Sequence, residues 1–428
     1  MPKEPKTRPF NKLIGRIPIL TPLLKRNFRL LWASQSISLL GDQFHFIALS
    51  WLTLQLTGSG LALGTVLMAG AIPRALFMLF GGVLSDRFSP RRIMIISNIA
   101  RSVVVAVIAI MVFSQIIELW HLYVLSISFG IADSFFHPAM NALIPTVVEK
   151  ERLRAGNAIL QGTHKLSFLI GSAPAGLLIS AMGMDIAFGI DSASFVIAAV
   201  FLSMMTDTII KRSSPTNNLQ TREESYTFRN IISDIREGLK FAYYQPAFRA
   251  MILAIAVIDF CFAGPIDVGL AWLADNRFSG GAAALGAVLS AFGAGAVIGT
   301  IIAGITKFRR PGITLMLICG LLGFGLASFG ILPNVTSAVI VSVPLGIGVG
   351  IFNIILVTWV QRESPAHMIG RIMSLVSFAS VGMMPFSLAI AGLLVDSNIV
   401  FMFAVSGGLV LITAVYMLSV SAVRNIAQ

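Results

Sequence analysis

Inside an apolar run from about residue 30 to 56, Gln35, Ser38, Asp42 and His45 stand at offsets of 0, 3, 7 and 10, which lays four polar side chains along one helical face. A second run carries Ser126, Gly130, Asp133, His137 and Asn141 on one face, and a third holds Asp259 and Asp267 on either side of Pro265. Eight residues at 100° each leave those two aspartates about 80° apart before any kink. An ionised group in mid-span costs about 2.5 to 3.5 kcal/mol on insertion scales, so these residues are the first places to look for function. A carboxylate or imidazole in a low-dielectric cavity can exchange a proton near neutrality. Asp42, His45 and Asp259 are therefore the proton-coupling candidates, Asp42 foremost. The alternative for Asp42 is helix packing through a hydrogen bond to a neighbouring span. Gln35, Arg74, Asp133, His137 and Asn353 are cavity or gating candidates, with Asp133 and His137 fitting a gating network and a substrate site equally well. Arg74, Arg101 and Lys165 supply cations: Arg74, behind Pro73, is expected in a buried ion pair, while Arg101 either neutralises an acid or snorkels. Asp191 reads as a packing residue between helices. There is no nucleophile elbow, metal-ligand cluster or nucleotide-binding loop, so no catalytic residue, metal ligand or cofactor is expected, and neither an enzyme nor an ATP-driven pump.

The elements that must position these groups are long. Of the 428 residues, 56% are hydrophobic and only 12% charged, and the mean hydropathy is +0.86, outside the range of soluble domains. Twelve apolar runs, at about 30 to 56, 61 to 84, 93 to 113, 119 to 140, 158 to 181, 186 to 205, 249 to 273, 284 to 305, 313 to 331, 337 to 360, 372 to 395 and 399 to 420, are each long enough to cross a hydrocarbon core of about 30 Å. They are called spans one to twelve below. No cleavage site of a signal peptide closes the first. The net charge of +12 is laid out by side. Lys and Arg fill the tail before span one, the segment between spans six and seven, and the turns after spans two, four, eight and ten, whereas the opposite side receives only Arg277. By the positive-inside rule this predicts a multi-pass protein of the cytoplasmic membrane with both termini cytoplasmic, and the basicity calls for no nucleic-acid partner. Cys261 and Cys319 both fall within spans, which supports no disulfide.

The chain also resembles itself. Residues 62 to 69, Ala-Leu-Gly-Thr-Val-Leu-Met-Ala, recur as Ala-Leu-Gly-Ala-Val-Leu-Ser-Ala at 284 to 291. Gly130-Ile131 and Gly176-Leu177-Leu178 recur as Gly346-Ile347 and Gly392-Leu393-Leu394 at nearly the same offset. Two parallel six-span halves follow. The predicted organisation is an all-α integral membrane protein: a basic tail at 1 to 29, a six-helix bundle at 30 to 205, a cytoplasmic linker at 206 to 248, a second bundle at 249 to 420 and a tail at 421 to 428. Within the linker, Phe228, Ile231, Ile232, Ile235 and Leu239 recur at the spacing of an amphipathic helix lying on the membrane. Parallel repeats of this kind permit alternating access.

Between spans two and three lies Gly-Gly-Val-Leu-Ser-Asp-Arg-Phe-Ser-Pro-Arg-Arg, residues 81 to 92. With Gly82, Asp86, Arg87, Arg91 and Arg92 it resembles the loop motif of the major facilitator superfamily, departing from it at Ser89 and Pro90. Leu-Thr-Gly-Ser at 56 to 59, Pro138-Ala139 with Ala142-Leu143-Ile144-Pro145, Glu237-Gly238-Leu239 and Gly370-Arg371 are similar to its macrolide-efflux and enterobactin-exporter branch. The resemblance implies that spans one, four, seven and ten line a cavity. It also implies that Asp86 meets the start of span eleven around Gly370 and Arg371, and that a monomer exports a small amphipathic drug-like, macrolide-like or siderophore-like molecule in exchange for protons. Uptake or lipid translocation on the same fold is the alternative, and a non-transporting receptor or scaffold a more distant one.

Overall fold

The computed structural model describes residues 18–206, 240–241, 243–306, 308–365 and 368–424; the side chains of Pro18, residues 79–87, Lys150, residues 369–371 and Ser374 lie outside that description, as does the linker helix expected before Leu239. Every regular element among the described residues is helical, the arrangement by which a chain in hydrocarbon satisfies its backbone within each segment. Spans one, two and three are Arg26–Thr57, Gly60–Arg87 and Pro90–Phe113. Span four is Leu119–Ser134 continued by Phe136–Val147, interrupted at Phe135, three residues before Pro138. Spans five and six are Leu153–Met182 and Met184–Ser203. Spans eight, nine and ten are Gly281–Ile305, Pro311–Ser328 and Val335–Glu363.

Eleven stretches among the described residues are long and apolar enough to cross a membrane, the last being Leu375–Ser419 with 45 residues. At 1.5 Å per residue that is about twice the hydrocarbon thickness. The helix Met384–Ser419 bends at Asn398, whose φ of −163° and ψ of 102° are extended. Spans eleven and twelve are the two arms of this bend, with Ile369–Gly382 leading into the first, and the twelve expected spans are all present.

Span seven is built in three pieces, Pro246–Gly264, a π-turn Pro265–Gly269 and Leu270–Asn276. In a regular helix the Gly264 N–H would bond to the Phe260 carbonyl, four residues back. Here the Ser387 hydroxyl of span eleven stands between them, accepting the Gly264 N–H at 2.7 Å and donating to the Phe260 carbonyl. Pro265 has no N–H to continue the ladder, and the Leu270 N–H reaches back five residues to the Pro265 carbonyl.

The chain divides into two compact units, Met1–Ala48 with Ile72–Asn217 and Leu49–Ala71 with Asn218–Gln428. In the first, spans three and six pack most extensively; in the second, spans eight and ten do, followed by span nine on the helix that carries span twelve, which repeats the pairing of three on six. Spans eight and ten of the second unit touch backbone to backbone. A Cβ at Gly295, Gly299, Gly346 or Gly350 would lie 2.1, 2.1, 2.0 or 2.4 Å from a carbonyl oxygen of the partner helix, which is the use of small residues at membrane helix interfaces. Large apolar side chains such as Phe113, Leu317, Phe324 and Ile305 point outward, where lipid replaces water as the neighbour. At the basic end of the first unit, the Lys25 ammonium sits 2.7 Å from the exposed Glu149 carboxylate. The hydrogen bond and charge of Lys25, with Arg152 behind them, hold that carboxyl below the usual carboxylate range.

Candidate functional site: a buried charge cluster in the first unit

The apolar lengths of spans one, two, three, four and six leave their few polar residues little solvent, and the fold gathers those residues together. Asp133 of span four is buried. Its Oδ1 accepts a bond from Arg101 Nη1 at 3.0 Å, and its Oδ2 lies 3.0 Å from Arg74 Nε in an ion pair. Arg101 is 2% exposed, so it neither snorkels nor reaches water. Its second amino group donates to Asn98 Oδ1 at 2.5 Å, and its guanidinium lies 4.5 Å from the Phe136 ring centroid and 4.3 Å from that of Phe195. The flat cation suits two aromatic faces and a carboxylate at once. Arg74 is less enclosed, its side chain 43% exposed.

A second pair sits beside the first. Asp191 of span six is fully buried, and its Oδ2 lies 3.3 Å from His45 Nδ1. Neither carboxylate oxygen of Asp191 receives a hydrogen bond among the described residues. His45 is held by stacking on Phe129, with ring centroids 4.6 Å apart, and by the edge of Phe188. Gly41 makes this approach possible, because a Cβ there would lie 2.0 Å from Ser194 Oγ and 2.7 Å from Asp191 Oδ1. Asp42 is partly exposed and shares this electrostatic neighbourhood, where Arg101, Asp191, Asp133 and Arg74 all act on it.

The other sequence candidates lie as follows. Gln35 is buried, with its Oε1 unpartnered among the described residues. His137 is half-buried, acting electrostatically on Asp133, and Asn353 is exposed. In the second unit the Ser380 hydroxyl donates to Asp259, while Asp267 lies within the π-turn. From the loop motif, Arg91 donates to the Leu202 and Ser203 carbonyls at 2.8 and 2.5 Å. It thereby caps the last turn of span six, where unpaired carbonyls favour a cation. Arg92 is exposed; the side chains of Gly82, Asp86, Arg87 and Arg371 lie outside the described residues. Sequence reasoning found the acids and cations but not their partners: Asn98, Phe136 and Phe195 carry no signal of their own, and Asp191 gave only its intramembrane position.

Comparison with known proteins places this architecture. A family model described as Major Facilitator Superfamily matches residues 31–387. Macrolide efflux protein A of Streptococcus pyogenes is 23% identical over 406 residues, covering 94% of this chain and 98% of that protein. Multidrug efflux pump Tap of Mycolicibacterium fortuitum is 24% identical over 373 residues, 83% of this chain and 86% of its own length. Among solved structures, a POT family transporter in complex with 5-aminolevulinic acid superposes with a TM-score of 0.73 at 11% identity, over 92% of this chain and 96% of the other. A bacterial homolog of the human lysosomal transporter Spinster gives 0.66 at 14%, over 98% and 97%.

Proposed function

Since the chain belongs to the Major Facilitator Superfamily and is a membrane transporter, we propose that it exports small amphipathic compounds, macrolide-like or siderophore-like, by alternating access in exchange for protons. Export and the macrolide-like substrate class draw on the efflux relatives, which match nearly end to end at low identity. Proton coupling draws on one observation, the charge count of the buried cluster. Two fixed cations, Arg74 and Arg101, stand among three aspartates, Asp42, Asp133 and Asp191. Asp133 takes both arginines as direct partners, which leaves Asp42 and Asp191 with His45 beside them. Uncompensated buried charge is expensive, so the set approaches neutrality only by holding a proton on an acid or on the imidazole. A group that must take up a proton in one arrangement of its neighbours and release it in another is what an exchanger requires. In this reading Asp42, partly open, is the proton-coupling group, His45 with Asp191 beside it assists, and Asp133 is the direct partner of Arg74 and Arg101. Asp259, hydrogen-bonded by Ser380, is a second proton-coupling position, and Gln35, His137 and Asn353 contribute polar lining. The molecule works in the cytoplasmic membrane with its basic turns inward, as a monomer.

The test is macrolide uptake into inside-out vesicles under an imposed proton gradient. We expect accumulation that collapses when the gradient is discharged and is lost in Asp42→Asn and Asp191→Asn while both variants insert normally. Accumulation indifferent to the gradient removes proton coupling from the reading, and normal coupling in both variants moves it away from this cluster.

A further inference from the structure

Span two begins at Gly60, and its first free N–H groups do not face water alone. The Asp396 carboxylate, near the end of span eleven and two residues before the bend at Asn398, takes three of the local donors. Its Oδ1 accepts the Gly60 N–H at 2.6 Å, and its Oδ2 accepts the Leu61 N–H at 3.0 Å and the Ser59 hydroxyl at 2.8 Å. A carboxylate belongs at a helix N-terminus for its charge and for its lone pairs alike. Behind this cap the two backbones touch. A Cβ at Gly60 would lie 2.0 Å from Val395 Cγ1, one at Gly64 2.3 Å from the Leu388 carbonyl oxygen, and one at Gly392 2.7 Å from the Gly60 carbonyl oxygen. Two further contacts join the same hairpin to spans seven and eight. Gln55 donates to Asp275 at 3.0 Å, and a Cβ at Gly281 would lie 2.9 Å from the Trp51 ring. All these residues fall in the second unit, which includes Leu49–Ala71 although spans one and two begin and end in the first.

We propose that Asp396, with the glycine seam of Gly60, Gly64 and Gly392, is a releasable clamp that shuts the protein at the membrane face opposite the arginine-rich turns. A transporter that works by alternating access must open that face once per cycle, and these helix ends cannot part while the cap is made. The chemistry suits release. Asp396 is exposed, so its carboxylate and the helix N–H groups exchange one another for water without stranding a charge in hydrocarbon, and behind them Gly64 and Gly392 meet the facing helix backbone to backbone, with little beyond Val395 to disengage. The clamp depends on neither the direction of transport nor the coupling ion.

The experiment replaces Cys261 and Cys319 with serine and places a reporter, Leu63→Cys, at a position fully buried one turn beyond the cap. Membrane-impermeant maleimide is applied from the face opposite the basic turns. Asp396→Asn is expected to raise the modification rate several-fold. Ser59→Cys with Asp396→Cys, joined by a short bis-methanethiosulfonate before labelling, is expected to lower to background the modification of the Leu63→Cys reporter itself, read by peptide mass spectrometry so that the two linked thiols do not count. Because the cross-linked protein is compared with the same protein before linking, the second arm does not rest on how the variant folds. A change in the stated direction in either arm supports the clamp; a rate that Asp396→Asn does not raise and cross-linking does not lower overturns it.

Discussion

At the scale of single residues, Arg101 has two jobs, neutralising Asp133 and filling the space between Phe136 and Phe195. Arg101→Leu leaves Asp133 with the half-exposed Arg74 alone, and breaking a buried pair by removing one partner costs about 3 to 5 kcal/mol. We expect a loss of that order in unfolding measured in detergent. Arg101→Lys, which keeps the charge but not the flat stacking surface, should recover only part of it. The stripe of Gln35, Ser38, Asp42 and His45 was legible because helical spacing alone puts those residues on one face. Asp191 was harder: an acid in an apolar run announces cost, but whether it meets a serine or a histidine is decided by a second helix, and here by the missing side chain of Gly41. Asp396 was invisible for the opposite reason. An aspartate in a short polar turn is ordinary, and nothing local says that it reaches a helix start more than 330 residues earlier in the chain.

At the scale of helices, the glycines of span eight divide into two kinds that the sequence does not distinguish. Gly299 has the Ile347 carbonyl oxygen 2.1 Å from where its Cβ would be, while Gly304 has nothing within 4 Å. Gly299→Val should therefore destabilise by at least about 1 to 3 kcal/mol through overpacking. Gly304→Ala should be neutral or slightly stabilising, by up to about 1 kcal/mol from helix propensity; thermal unfolding of the two variants side by side checks both. The twelve spans themselves were readable from apolar length to within a few residues, because a hydrocarbon core leaves helices few alternatives. The internal breaks were only half readable. Pro265 signals an interruption, but that a π-turn results depends on Ser387 supplying the hydrogen bonds that the ladder of span seven gives up. Ser387→Ala removes this bridge, so the Gly264 N–H and Phe260 carbonyl must find each other or stay unpaired. We expect a protein that still inserts but transports more slowly, measured as initial rates in vesicles against wild type.

At the scale of the whole molecule, the lopsided placement of Lys and Arg orients the chain by the positive-inside rule. A reporter active only outside the cytoplasm should thus be silent when fused after Arg424 and active when inserted in the turn at Gly280; the reverse pattern would invert the assignment of faces. The two-fold repetition was visible as matched segments half a chain apart, and the packing of span three on six and nine on twelve follows it. What departs from the repetition is the hairpin Leu49–Ala71, which packs within the second unit. That has a consequence for how the protein is made. Span two begins at Gly60, yet the groups that cap and seal that end, Leu388 to Asp396, leave the ribosome more than 320 residues later. Contacts of such sequence separation form late, so this hairpin enters the bilayer long before its final neighbours exist and must wait there unsealed.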